Sequence, residues 1–171
     1  MSLSVFISKP LKFNIQYFSQ CIEENINFLL GRKDVSLELY FQDMDGNPVH
    51  IIEPDRLYGF LEKNIVGYGG YFLYSLDEYW NYHSDHEVYE FSINNIQSDQ
   101  DDFLFLIQLS MLISVAKIAG EEYLMDTYGI LPCVKNDKVK VNELLDLKVD
   151  SEGKEISQSL ACFYDRLNKM Y

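Results

Sequence analysis

The stretch DDFLFLIQLSMLISVAKIAGEEYLMDTY, residues 101–128, decides the fold of this 171-residue chain. Its first half is apolar on nearly every side of a helical projection. The polar exceptions recur at spacings of four, three and four residues, and they are Ser110, Ser114, Lys117 and Glu121. A helix that is apolar nearly all round is buried nearly all round. The sequence therefore predicts a long central helix near 101–128 as the spine of one core.

This predicted helix has signals at both ends. Ser98, followed three residues later by Asp101, resembles a capping box. Gly129 lies just past the last apolar residue and Pro132 follows it, which is typical of a helix end. Gly120 is a point at which the helix either bends or divides.

On both sides of this stretch, hydrophobic periodicity predicts the other elements. Apolar residues at helical spacing predict helices over 15–29 and 156–170, and a shorter helix after Pro54 with residues 57, 60, 61 and 65 as its inner face. Alternating apolar and polar residues predict strands over 35–41 and 89–93. A return strand over 49–52 follows the turn formers of 43–48, and the short aromatic run 71–75 has high strand propensity. Residues 3–7 form either a strand or an extended arm, and 133–141 form either a small hairpin or a plain loop.

The order of these elements predicts an α+β fold. Strands arrive in local antiparallel pairs and do not alternate with helices, so we expect an antiparallel or mixed sheet that is built from hairpins and packed against helices. The chain has no internal repeat, low-complexity tract or linker. We therefore expect residues 1–171 to form a single globular domain.

The negative charge of the chain indicates which kinds of molecule it can bind. With 27 Asp and Glu residues and 14 Lys and Arg residues, the net charge is −13. Such a field repels phosphate backbones and anionic lipid headgroups, and it attracts basic proteins. We expect no direct nucleic-acid binding and no membrane association.

Cysteine use indicates the compartment. Cys21, Cys133 and Cys162 are odd in number and widely spaced, which favours reduced thiols over a disulfide framework. The first nine residues lack a basic segment followed by an apolar run, so they do not resemble a secretory signal. The sequence predicts a cytoplasmic protein.

Motifs for catalysis and cofactors are weak. The glycines of Gly67-Tyr68-Gly69-Gly70 match neither phosphate-binding pattern, and no GxSxG is present. His83, Asp85 and His86 could supply part of a metal site, but a solvated loop explains them better, because three neighbouring residues do not fix converging geometry. We predict no cofactor, no metal and no enzyme activity.

The segment 76–90 is the predicted partner-binding site. It combines aromatic residues, which are favoured interface anchors, with carboxylates that would steer a basic partner. The predicted anchors are Tyr79, Trp80 and Tyr82, and the predicted charges are Asp77, Glu78, Asp85, Glu87 and Glu90. The alternative is that the aromatic residues fold into the core while the acidic residues face water.

In size, acidity, cytosolic character and lack of a catalytic motif, the chain resembles the immunity proteins of bacterial contact-dependent inhibition and polymorphic toxin systems. The resemblance is one of overall type across the whole chain. It implies tight binding to a cognate toxin, often a basic nuclease, with steric and electrostatic blocking of its active site or substrate path.

Two other functions stay open. The chain could be a structural or adaptor subunit of a larger assembly, marked by exposed sheet edges or a self-complementary aromatic patch. It could also be a small enzyme that uses His83, Asp85 or His86, which a concave pocket lined by these residues would favour.

Overall fold

Antiparallel strand pairs and four helices make up the described part of the molecule. The computed structural model describes residues 2–7, 13–37, 41–42, 45, 47–49, 51–52, 59–63, 72–76, 80–83, 88–94, 102–131 and 137–170. In chain order the elements are β1 (Ser2–Ile7), β2 (Phe13–Asn14), α1 (Ile15–Leu30), β3 (Phe41–Gln42), β4 (Pro48–Val49), β5 (Ile51–Ile52), β6 (Gly59–Lys63), β7 (Phe72–Leu76), β8 (Trp80–His83), β9 (Val88–Asn94), α2 (Asp102–Ala119), β10 (Tyr123–Met125), β11 (Lys138–Lys140), α3 (Val141–Leu145) and α4 (Ile156–Asn168).

Five strands form the main sheet, in the order β11-β10-β1-β9-β8. The other described strands pair as β2 with β5, β3 with β4, and β6 with β7, all antiparallel. Helices pack against this antiparallel sheet, so the predicted α+β class is confirmed. The strand predicted over residues 3–7 is β1, and it pairs with both β9 and β10.

Helix α1 forms where the 3.6-residue period predicts it. The side chain of Asn14 accepts hydrogen bonds from the backbone N–H groups of Gln16 and Tyr17, at 2.7 and 3.3 Å, and so caps the first turn. The apolar stripe of the helix is buried, and its members are Ile15, Phe18, Ile22, Ile26 and Leu29. The ring of Phe18 meets that of Phe91 on β9 edge-to-face, with 6.4 Å between centroids.

Helix α2 is the predicted central helix, but it is shorter than predicted. It runs from Asp102 to Ala119 and is buried over most of its length. The backbone turns at Gly120, where φ is +73°, and residues 123–125 form strand β10 between β1 and β11. The helix therefore ends at Gly120, where a bend or a division was expected, and it does not continue to the second end signal at Gly129. Gly120 and Gly129 are both suited to end a helix. The helix ends at Gly120 because residues 123–125 pair with β1. The capping box predicted at residues 98–101 lies outside the described residues.

Two residues of the polar stripe, Ser114 and Lys117, form hydrogen bonds with Asn25 of α1. Asn25 of α1 donates from Nδ2 to the Ser114 hydroxyl at 2.8 Å, and Lys117 donates from Nζ to Asn25 Oδ1 at 2.9 Å. The core face of the sheet supports the rest of the helix with fully buried side chains, which are Leu3, Val5, Ile7, Phe91 and Ile93. Of the helices in the described ranges, none has the length and apolar character that a membrane span requires.

Two predicted elements differ from the structure. The helix predicted after Pro54 is instead strand β6, paired with β7 from Gly59↔Leu76 to Lys63↔Phe72. A short apolar run fits either period, and here the neighbouring strand decides. Residues 35–37 keep the predicted alternation of burial without joining a strand, because Val35 hydrogen-bonds with the side chain of Asn27 and Leu37 with that of Glu23.

The C-terminal region closes the fold against α1. Helix α4 confirms the predicted last helix, and it begins with a capping box between Glu155 and Gln158. Strand β11 pairs with β10, so the described part of the predicted hairpin at 133–141 belongs to the main sheet. Its other arm, 132–136, lies outside the described residues. The Val149 N–H donates to the Leu29 carbonyl at 2.9 Å and joins this region to the end of α1.

Candidate functional site

The predicted partner segment 76–90 contains a strand where a loop was expected. Strand β8 begins at Trp80 and pairs with β9. The predicted site residues Trp80 and Tyr82 lie on β8, and Glu90 lies on β9. Aromatic residues have high strand propensity, which accounts for the difference. The other predicted site residues lie outside the described residues, and these are Asp77, Glu78, Tyr79, Asp85 and Glu87.

The strand register separates two of the predicted site residues. Trp80 is opposite Phe91, and Asn81 is opposite Glu90. Directly opposed residues share a face of an antiparallel sheet and successive residues alternate, so Trp80 takes a position on the core face, with the buried Phe91, and Glu90 takes one on the opposite face. This register favours the alternative in which aromatic residues of the segment belong to the core. A partner that contacts both positions must reach around β8, the edge strand among the described strands of this sheet.

Of the three predicted metal ligands, the structure describes one. His83 is the last residue of β8, and Asp85 and His86 lie outside the described residues. Within the described ranges, no three His, Cys, Asp or Glu side chains converge as a metal site requires. The cysteines Cys21 and Cys162 are free thiols, as predicted, and Cys133 lies outside the described residues.

A basic cleft lies at the C-terminal end of α1. It has a volume of about 640 Å³ and brings together the end of α1, the segment after α3 and one turn of α4. Its lining side chains include four cations and one carboxylate, a net charge of +3 in a chain whose total is −13. The cleft is lined by Asn27, Phe28, Gly31, Arg32, Lys33, Lys148, Val149, Asp150 and Arg166.

Both arginines of the basic cleft are held in place. Arg32 binds Asp34 with two hydrogen bonds of 2.7 and 2.6 Å, which lower the pKa of the Asp34 carboxyl and raise that of the guanidinium. Its Nη1 donates to the Lys154 carbonyl at 2.6 Å. Arg166 donates to the carbonyls of Lys148 and Asp146, at 2.7 and 3.0 Å, so it fixes the segment that follows α3.

The lysines of the basic cleft are not needed to cap α1. The last four carbonyl groups of α1 already have donors: Arg32 N–H for Asn27, Gly31 N–H for Phe28, Val149 N–H for Leu29 and the Ser151 hydroxyl for Leu30. Lys148 holds its ammonium 4.8 Å from the centroid of the Phe28 ring. Within the described part of the chain, the ammonium groups of Lys33 and Lys148 enter no ion pair or hydrogen bond.

A second, smaller cavity of about 200 Å³ lies between α1 and α2. It is lined by Tyr17, Cys21, Glu24, Asn25, Ser114, Lys117 and Ile118. The Ser114 hydroxyl donates to the Ser110 carbonyl at 2.7 Å and accepts from Asn25, so its proton is already committed. A hydrogen bond with Cys21 raises the pKa of the Tyr17 hydroxyl. This polar cluster joins the two helices and lacks a hydroxyl poised for nucleophilic attack.

Charge is divided unevenly along the chain. Residues 34–130 contain 18 acidic and 3 basic residues, so their net charge is 3 − 18 = −15. The rest of the chain is slightly positive, at +2, and all four cations of the basic cleft belong to it. The sequence analysis missed the cleft, because Lys148 and Arg166 are far from Arg32 and Lys33 in the chain and carry no motif.

No known protein family, curated protein or solved structure shows significant similarity to this chain.

Proposed function

We propose that the chain is an acidic cytoplasmic immunity protein that binds a basic toxin, such as a nuclease, and neutralises it without catalysis. One observation carries the proposal: the net charge of −15 on residues 34–130. The predicted partner segment 76–90 lies within that part of the chain. The remaining residues are close to neutral, so the acidity is concentrated and is more than a general aid to solubility.

The proposed mechanism has two stages. Carboxylates of residues 34–130 first attract the basic surface of the toxin and raise the association rate. The aromatic residues Tyr79, Trp80 and Tyr82 then anchor the complex while the protein covers the active site of the toxin. Glu90 takes a position on the face of the sheet away from the core, so we assign the first stage to it. Trp80 and Tyr82 take positions on the core face of the edge strand β8, so anchoring by them requires the toxin to pack at that edge.

The test begins with the tagged protein in a lysate of its source cells, at low and high salt. We expect one basic protein to be retained in stoichiometric amount under both conditions. That protein should inhibit growth when it is expressed alone, and growth should return when this chain is expressed with it. Recovery of nothing but copies of the chain would contradict the proposal and favour a structural subunit.

Charge variants then test the mechanism with the retained partner. Replacement of Asp85, Glu87 and Glu90 by Ala should lower the association rate by about tenfold and flatten its salt dependence. The matched control replaces the exposed residues Glu143, Glu152 and Asp165 by Ala, which removes the same charge from the near-neutral part of the chain. Equal association rates for the two variants would refute steering by segment 76–90.

A further inference from the structure

The basic cleft has the composition of an anion-binding site. Lys33 and Lys148 have unused ammonium donors, and both residues are exposed. A guanidinium group carries five N–H donors, of which Arg166 uses two on backbone carbonyls, so three remain. Together these side chains supply charge and donors to one cavity of about 640 Å³, which is within the range of small-molecule sites.

The walls of the cleft are fixed by contacts within the described residues. The side-chain amide of Asn27 donates to the Val35 carbonyl at 2.9 Å and accepts from the Val35 N–H at 3.1 Å. Arg166 is tied to the segment after α3, and Val149 is tied to Leu29. Because these walls are already ordered, a ligand would bind without the entropic cost of ordering the backbone around the cleft.

Structural needs do not explain the two lysines of the cleft. The terminal carbonyl groups of α1 have other donors, and the one carboxylate that lines the cleft, Asp150, accepts from the Glu152 backbone N–H at 3.0 Å. Asp34 already forms an ion pair with Arg32, so it does not compensate the charge of either lysine. The repulsion among Lys33, Lys148 and Arg166 would fall on binding a compact, multiply charged oxyanion.

We propose that the basic cleft is a binding site for a small polyanion that carries clustered phosphate or carboxylate groups. Lys33 and Lys148 supply ammonium groups, and Arg166 adds its guanidinium charge and the N–H donors that the carbonyls of Lys148 and Asp146 leave unused. The exposed ring of Phe28 forms an apolar side of the site. This function is separate from toxin binding, since the cleft lies outside residues 34–130.

The experiment is an NMR titration of the ¹⁵N-labelled protein with pyrophosphate, at about 0.15 M salt to screen long-range repulsion. We expect amide shifts at residues 27–33, 148–150 and 166, with a Kd of about 1 mM or below. A parallel titration with citrate distinguishes the source of the anion. Tighter binding of pyrophosphate assigns the site to phosphorylated metabolites, and tighter binding of citrate assigns it to polycarboxylates.

Two matched variants decide whether the cleft itself binds. The change of Lys33 and Lys148 to Gln should weaken binding of the preferred anion by about tenfold or more. The control changes Lys138 and Lys140 to Gln, two exposed lysines of β11 whose loss alters the net charge equally. Shifts that are absent, or binding that falls equally in both variants, would overturn the proposal.

Discussion

The C-terminal ends of α1 and α2 use the same local motif in different surroundings. Each helix is followed by a glycine with positive φ, +60° at Gly31 and +73° at Gly120. The glycine N–H donates to the carbonyl three residues back, at 3.1 Å in α1 and 3.3 Å in α2. The next N–H donates five residues back, at 2.8 Å in both. Both ends therefore form a Schellman motif.

The difference lies in what packs on each glycine. A Cβ atom at Gly31 would overlap the carbonyl oxygen of Val149, whereas no atom of the described residues lies within 4 Å of one at Gly120. The end of α1 is thus a contact surface for the C-terminal region and a wall of the basic cleft. The end of α2 is a local turn into β10. Identical stop signals can hence have different roles in tertiary structure.

Gly31→Ala tests the contact between the end of α1 and the C-terminal region, and we expect it to have the largest effect. It adds an overlap with the Val149 carbonyl to the strain of a left-handed backbone, so we expect a loss of about 4 kcal/mol in the free energy of unfolding. Urea denaturation followed by circular dichroism measures this loss. A loss no greater than that of Gly120→Ala would show that the Val149 contact contributes nothing.

Asp126→Ala tests the local closure that follows α2. The buried Asp126 carboxylate accepts from the N–H groups of Ile130 and Leu131, at 2.9 and 2.7 Å. Its removal leaves both donors without that partner and should cost about 2 kcal/mol in the free energy of unfolding. The measurement is a shift of the urea midpoint at constant slope. Glu122→Ala, an exposed neighbour, is the control and should leave the midpoint nearly unchanged.

Gly120→Ala should have the smallest effect. The added methyl group meets no described atom, so the cost is the left-handed conformation alone, about 1 kcal/mol. The same urea titration measures it. A loss as large as that of Gly31→Ala would remove the contrast between the two helix ends.

Much of the fold was predictable because periodicity is a local property. Helices α1 and α4 and strands β1 and β9 follow the apolar spacing of their own residues, and β7 follows its aromatic composition. Strand β6 was wrongly predicted as a helix, and the helix predicted beyond Gly120 did not form, since the segments 59–63 and 123–125 fit more than one period. In both places a neighbouring strand decided, through backbone hydrogen bonds that the local pattern does not contain.

The candidate site was less predictable than the fold. Segment 76–90 stood out by its acidic and aromatic composition, and its role stays a prediction. The basic cleft was missed because it joins Arg32 and Lys33 to Lys148 and Arg166 across most of the length of the chain. No spacing rule relates residues that meet only after the C-terminal region packs on α1.

The sequence by itself determined the α+β class, the buried central helix and the uneven distribution of charge, since these depend on composition and on short-range patterns. Only the tertiary structure decided where α2 ends, which face of the sheet Trp80 and Glu90 occupy, and that four cations share one cleft. Those features arise from contacts between distant segments. Their energies depend on packing and hydrogen bonding that form when the chain is folded.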